Sequence, residues 1–215
     1  SSAASDVYKR QVPDAYYYNE PLTVFNGEHT MLPLMLSMYE ISSAEDAENY
    51  VLLLEDAPRY IGQIEQFERE KAAKGLFMTE NALNKVLESC IKFAETGNNC
   101  FLIGFFEDEM ASAEFEISEQ QKTALLERSR NSIINELLPA YRSLANTLEQ
   151  LRPQCGSFAG ACMRGVDAKD YYAAAIKSNA ACNAEYSSMA DELSESISSV
   201  YALSLIHISE PTRQE

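Results

Sequence analysis

Histidine is almost missing from this chain: only His29 and His207 occur in 215 residues. No two histidines stand at i and i+4 with a glutamate between them, the helical pattern that binds catalytic zinc. Basic residues are also scarce, 17 Lys and Arg against 33 Asp and Glu, for a formal charge of -16. Such a surface repels phosphate backbones and anionic lipid headgroups, so nucleic acid and polybasic membrane attachment fall away as partners. No stretch approaches the ~18 to 20 consecutive apolar residues of a membrane-spanning helix, so no transmembrane segment is expected and the chain reads as soluble.

The five cysteines, Cys90, Cys100, Cys155, Cys162 and Cys182, lack C-x-x-C spacing. That argues against a zinc knuckle or a thioredoxin-type redox pair. We read them as separate thiols, although Cys155 and Cys162 bracket a Gly-rich loop and would be able to pair in an oxidising compartment. Ser157 in "CGSFAG" does not have the spacing of a nucleophile elbow, and no strand precedes it. Gly156, Gly160 and Gly165 lack the Lys-Ser/Thr ending and strand-helix frame of a phosphate-cradling loop.

What is present is a core and helix punctuation. At 46% hydrophobic residues, the chain can bury a sizeable interior. Its two ends look foreign to it: "SSAASDVYKRQ" at 1–11 and "LSLIHISEPTRQE" at 203–215 resemble in-frame translations of sequencing-adapter DNA. The natural portion is then expected to be 12–202, an interior piece of a larger, mostly helical protein, with His29 as its only histidine.

Ser42 and Ser43 stand three before Glu45 and Asp46, the spacing of a helix start with acidic residues at the positive dipole end. Pro58 predicts a stop near Ala57 and a second helix from Pro58 to Gly75, with Tyr60, Ile61, Ile64 and Phe67 on one face. Thr79 caps a third helix in which Leu83, Val86, Leu87, Cys90, Ile91 and Ala94 share a stripe that Gly97 ends. "CFLIGFFEDEM" is read as helix because its neighbours are helical. Ser118 and Gln121 form a capping box opening the longest pattern, which keeps helical period through Pro139 to Leu151, so a kink is expected there. Asp167 precedes another helix, "AKDYYAAAIKSN", and "AEYSSMADELSESISSVYA" forms a last one. The reading is all-α: one multi-helix, bundle-like array, with Gly75, Gly97 and Pro139 as structural residues.

Candidate chemistry is thin. His29, in "FNGEHTMLPL", is a candidate ligand or base with Glu28 beside it, set against the ordinary role of a histidine making one hydrogen bond. Glu107, Asp108 and Glu109, or Glu65, Glu68 and Glu70, read as solvated faces and not as catalytic dyads. Tyr16, Tyr17 and Tyr18, with Tyr171 and Tyr172 further on, are of the type that lines a peptide or sugar groove or edges a core. Tyr16, Tyr17, Tyr18 and His29 are therefore the substrate-cleft candidates. No catalytic residue and no metal ligand is assigned.

The stretch "FNGEHTMLPLMLSMYEISSAEDAENYVLLLEDAPRYIGQIEQFEREKAAKGLFMT", with "LLPAYRSLANTLEQL" and "DAKDYY" further on, resembles the bacterial family called domain of unknown function 885. Ala168 stands where that family often has glycine. The resemblance implies a mostly helical, often exported or lipid-anchored bacterial protein similar to gluzincin-type zinc metallopeptidases. It also implies that the zinc motif lies in a later half of the parent, so that this piece holds no cofactor and is inactive without its missing C-terminal half. The expected function is then the cleft wall or lid of a zinc-dependent peptidase, with a peptide as substrate. The alternative is a non-enzymatic helical module binding a protein or cell-wall partner.

Overall fold

The computed structural model describes residues 15–157, 164–165, 167–180, 191 and 193–201. The adapter-like ends, His207, Cys162 and Cys182 lie outside them. A short 3-10 turn at Ala15–Tyr18 is followed by helices α1 (Glu28–Leu36), α2 (Ala44–Ala73), α3 (Glu80–Ala94), α4 (Phe101–Ala111), α5 (Glu119–Ser132), α6 (Leu138–Gln150) and α7 (Ala168–Ala180). Residues 193–201 are helical as well. The fold is all-α: among the described residues the only β feature is an isolated bridge between Thr79 and Gly156. The chain divides into two compact units, Tyr16–Ala159 and a second made of Ser1–Ala15 with Gly160–Glu215.

Local chemistry sets the helix starts. The Ser43 hydroxyl accepts from the Asp46 N–H at 3.1 Å, and that of Thr79 from Ala82 at 3.4 Å. Ser118 and Gln121 form the reciprocal capping box. At the far end of α2, Gly75 adopts φ 71°, a left-handed conformation costly for residues with a Cβ. It lets the Leu76 and Gly75 N–H groups turn back to the Lys71 and Ala72 carbonyls, the Schellman arrangement that satisfies a helix end. Gly97, also left-handed at φ 53°, opens the 3-10 turn between α3 and α4. Helix α3 has already ended at Ala94.

One proline acts differently from expectation. Pro58 does not separate two helices: α2 is one element of 30 residues with Pro58 inside it. An internal proline forfeits a hydrogen bond and costs roughly 3 kcal/mol. The same buried face continues on both sides of it, through Ala47, Tyr50, Val51, Leu54 and Ala57 before, and Ile61 and Ile64 after. Breaking the helix would uncover one half of that face, each large side chain of which is worth roughly 1.5–3 kcal/mol when buried. Just before Pro139, where the sequence leads one to expect a kink, the helix widens into a π-turn at Ile133–Leu137 in which the Leu138 N–H reaches the Ile133 carbonyl. A wider turn gives a proline ring room and inserts one residue into the repeat.

The core of the 16–159 unit runs from Leu22 to Leu151, with Tyr50, Phe77, Phe106 and Tyr141 among its largest members. Helix α6 packs most extensively on α3 and then on α2, while α2 also meets α5. Arg128 of α5 ties to α2 through Glu48 at 2.6 Å and Glu55 at 3.0 and 3.1 Å. Glu65 of α2 accepts from Thr147 and Ser143 of α6 at 2.5 and 3.0 Å. Cys90 and Cys100 are buried thiols within this core, and Cys155 is half-buried.

Candidate functional site

Helix α2 presents Tyr60, Gln63, Ile64 and Phe67 along one edge, the three-to-four spacing of a single helix side. Opposite it runs the segment from the 3-10 turn to the start of α1. That segment is pinned at both ends: Leu22 is buried in the core, and the Glu28 N–H donates to the Pro21 carbonyl at 2.7 Å. Between the two lies a cavity of about 420 Å³ lined by Tyr16, Asn19, Glu20, Pro21 and Glu28 from one side and the four α2 residues from the other.

Lys71 holds this wall from behind. Its Nζ is fully buried, donates to the Asn19 carbonyl at 2.9 Å and lies 3.1 Å from Glu20 Oε2. Glu68, one helical turn back, is equally buried and stands 3.7 Å from the same Nζ. That is an ion-pair distance and too long for a hydrogen bond, so both Glu68 oxygens lack a hydrogen-bond partner among the described residues. Burial pushes the Glu68 carboxyl above the usual carboxylate range, with Lys71 opposing. It pushes Lys71 down, with Glu68 opposing. The close partner of the ammonium is therefore Glu20, on the pocket wall.

The aromatic side chains form one cluster. Tyr16 meets Phe67 edge-on at 5.0 Å, and Tyr17 stacks on Phe67 at 5.8 Å and 19°. The Tyr17 hydroxyl donates to Glu70 at 3.1 Å. Lys74 sits over the Tyr17 ring at 4.9 Å and Lys71 over Phe67 at 5.8 Å. Tyr18 is buried. The phenol of Tyr60 is raised above its ordinary pKa by burial and then by its hydrogen bond to Glu28. Of the three neighbouring tyrosines only Tyr16 lines the cavity, while Tyr17 backs it. Tyr171 and Tyr172 belong to α7, in the other compact unit.

His29 is not in the cavity, although Glu28 beside it is. It is 3% exposed, and its Nε2 lies 2.8 Å from the Ser89 hydroxyl. Gly27 covers the opposite side of the ring: a Cβ there would fall 2.5 Å from Nδ1. Nδ1 has no hydrogen-bond partner among the described residues, and burial lowers the pKa to about 4. A Ser-His contact of this length resembles a nucleophile and its base. Ser89, however, also reaches the Val86 carbonyl of its own helix at 2.9 Å, and neither residue lines a described cavity. The pair ties α1 to α3, and Tyr141, which donates to the His29 carbonyl at 2.9 Å, ties α1 to α6.

Nothing described fits a zinc ion. Among the described residues no three His, Cys, Asp or Glu side chains gather as a metal would need, and His29 offers no accessible nitrogen. Sequence reasoning passed over Glu20 and Lys71, assigned Tyr60 and Phe67 only to an apolar face, and read Glu68 as part of a solvated face, whereas its side chain is fully buried. A signal existed: Glu68 and Lys71 continue the buried stripe of Ile61 and Ile64, where charges are out of place.

These features define an all-α protein with an aromatic, carboxylate-bearing pocket between helix α2 and the segment that leads into α1. The chain belongs to the family described as "Bacterial protein of unknown function (DUF885)", whose sequence model matches residues 2–193. That match takes in the adapter-like stretch at the start and stops short of the one at the end. The chain is similar in fold to the crystal structure of "the putative lipoprotein from Colwellia psychrerythraea", at 19% identity and a TM-score of 0.66. The alignment covers 73% of this chain and 27% of that one, so the chain spans about a quarter of its structural relative. No curated protein matches it.

Proposed function

We propose that this helical region forms one wall of a peptide-binding cleft in a zinc-dependent peptidase of the bacterial cell envelope, with the metal held by sequence outside these residues. The observation that carries the reading is the pocket itself. Aromatic rings of Tyr16, Tyr60 and Phe67 offer area for a peptide side chain. The side-chain amides of Asn19 and Gln63, on opposite walls, offer donors and acceptors matching a peptide backbone. In this reading the region binds and orients substrate, and carries out no chemical step. The likeness to gluzincin-type peptidases that the sequence motifs imply supports the peptidase class, and the fold likeness to a putative lipoprotein supports attachment outside the cytoplasm. The adapter-like ends belong to the same proposal as segments foreign to the protein.

Calorimetric titration of the 215-residue chain with a pool of end-blocked pentapeptides tests the cleft. Saturable binding is expected, weakened at least fivefold by Tyr16→Ala; absence of saturable binding overturns it. A longer native form carrying this region is then assayed for peptide hydrolysis. Chelator-sensitive cleavage with KM raised by Tyr16→Ala and kcat preserved is the expected result. Binding without hydrolysis leaves a non-catalytic binding module.

A further inference from the structure

We propose that the pocket takes a primary ammonium group, either the α-amine of a peptide or the end of a lysine side chain. The inference rests on the peptide-cleft reading for its natural ligand, but its physical basis is separate from it.

Two carboxylates, Glu20 and Glu28, line the cavity, and no lysine or arginine is among its lining residues. The cation paired with the wall, Lys71 Nζ, is fully buried behind it and is committed to the Asn19 carbonyl and Glu20. It compensates one carboxylate and leaves the pocket with the charge of the other. Glu28 receives the Tyr60 phenol, a neutral donor that leaves its charge in place. An anionic ligand would meet two carboxylates here. A neutral apolar one would strip them of water with nothing in return. A cation pairs with the Glu28 charge that Lys71 leaves uncompensated, and the chain's charge of -16 raises its local concentration.

The aromatic cluster gives an independent indication, because it already holds ammonium groups of the protein's own. Lys74 lies over Tyr17 at 4.9 Å and Lys71 over Phe67 at 5.8 Å. Among the described residues, the rings bordering the cavity with no protein cation over them are Tyr16, which is 64% exposed, and Tyr60. An ammonium entering the cavity shares it with these two rings and with the Glu28 carboxylate at the start of α1. Its three N–H donors suit a carboxylate and a neighbouring amide oxygen together. A volume of about 420 Å³ leaves room for a short length of chain behind that group.

The test compares four ligands on the intact chain by calorimetry: a tripeptide amide with a free N-terminus, its N-acetylated form, an acetylated peptide containing one lysine, and butylammonium. The free-amine peptide is expected to bind at least tenfold more tightly than the acetylated one. Glu28→Gln should remove most of that difference, Tyr16→Ala should weaken binding severalfold and Tyr16→Phe should preserve it. Unchanged melting temperatures of the variants separate lost binding from lost folding. Recovery of affinity in the acetylated lysine peptide assigns the site to any primary ammonium, and failure to recover assigns it to a peptide N-terminus. Equal binding of free and acetylated peptides overturns the ammonium proposal and leaves the cleft standing. Butylammonium binding without any peptide binding does the reverse, and no binding by any ligand overturns both.

Discussion

A proton added to His29 would place a charge on a ring sealed by Gly27 on one side and held by Ser89 on the other. Burial therefore holds its pKa near 4, against 6.5 for the free side chain. The sign of the consequence follows from which state binds the proton. Between about pH 6.5 and 4 the unfolded chain takes it up and the folded chain does not, so stability falls as pH falls through that window. The full effect is at most ~3 kcal/mol. Glu68 acts in the opposite sense, because its raised pKa favours the folded state where the carboxyl is protonated. Comparing wild type with His29→Gln isolates the histidine. Urea unfolding at pH 7 and pH 4.5 should show the wild type losing roughly 2 kcal/mol more than the variant. Equal losses would mean that His29 titrates normally and is not sealed.

At the scale of elements, the chain keeps helices going through prolines by two different routes. Around Pro58 the buried face of α2 is continuous and the helix absorbs the lost hydrogen bond. Around Pro139 the helix takes a π-turn, which keeps Leu125 and Ser129 before it and Tyr141, Leu144 and Leu148 after it turned to the interior. If the π-turn closed into α-helix, one of these two faces would rotate away from the core by about a quarter-turn. The turn is thus held by packing as well as by the proline. Pro139→Ala should leave residues 133–137 in the π form, with a stability change within about 1 kcal/mol. Backbone chemical shifts and amide exchange of the variant check this, and conversion of 133–137 to regular α-helix would show that the proline alone imposes the turn. The caps at Ser43, Thr79 and Ser118 are readable from the sequence because a cap spans only three residues. Helix α1 is not: Gly27 precedes it without a side-chain cap, and Pro33 sits within it.

At the scale of the molecule, the core from Leu22 to Leu151 lies wholly within the 16–159 unit. A chain ending at Ala159 is accordingly expected to keep its helical circular dichroism and to melt in one cooperative step. Loss of cooperative melting would show that the core needs residues beyond 159. The candidate site lies in the same unit, and its assembly from distant segments explains why so little of it was legible. Tyr16 stands out in sequence as part of a tyrosine run, but nothing local places it against Phe67 or puts Glu20 beside Lys71. His29 drew attention as a rare residue and proved to be a buried link between α1 and α3. By itself, the sequence determined the helical class, most helix starts and most of the buried stripe of α3, because these depend on residues within a turn or two of one another. Only the tertiary structure decided whether Pro58 ends a helix, which charged residues are buried, and where a pocket opens. Those outcomes depend on packing between segments some fifty or more residues apart, which no local periodicity encodes.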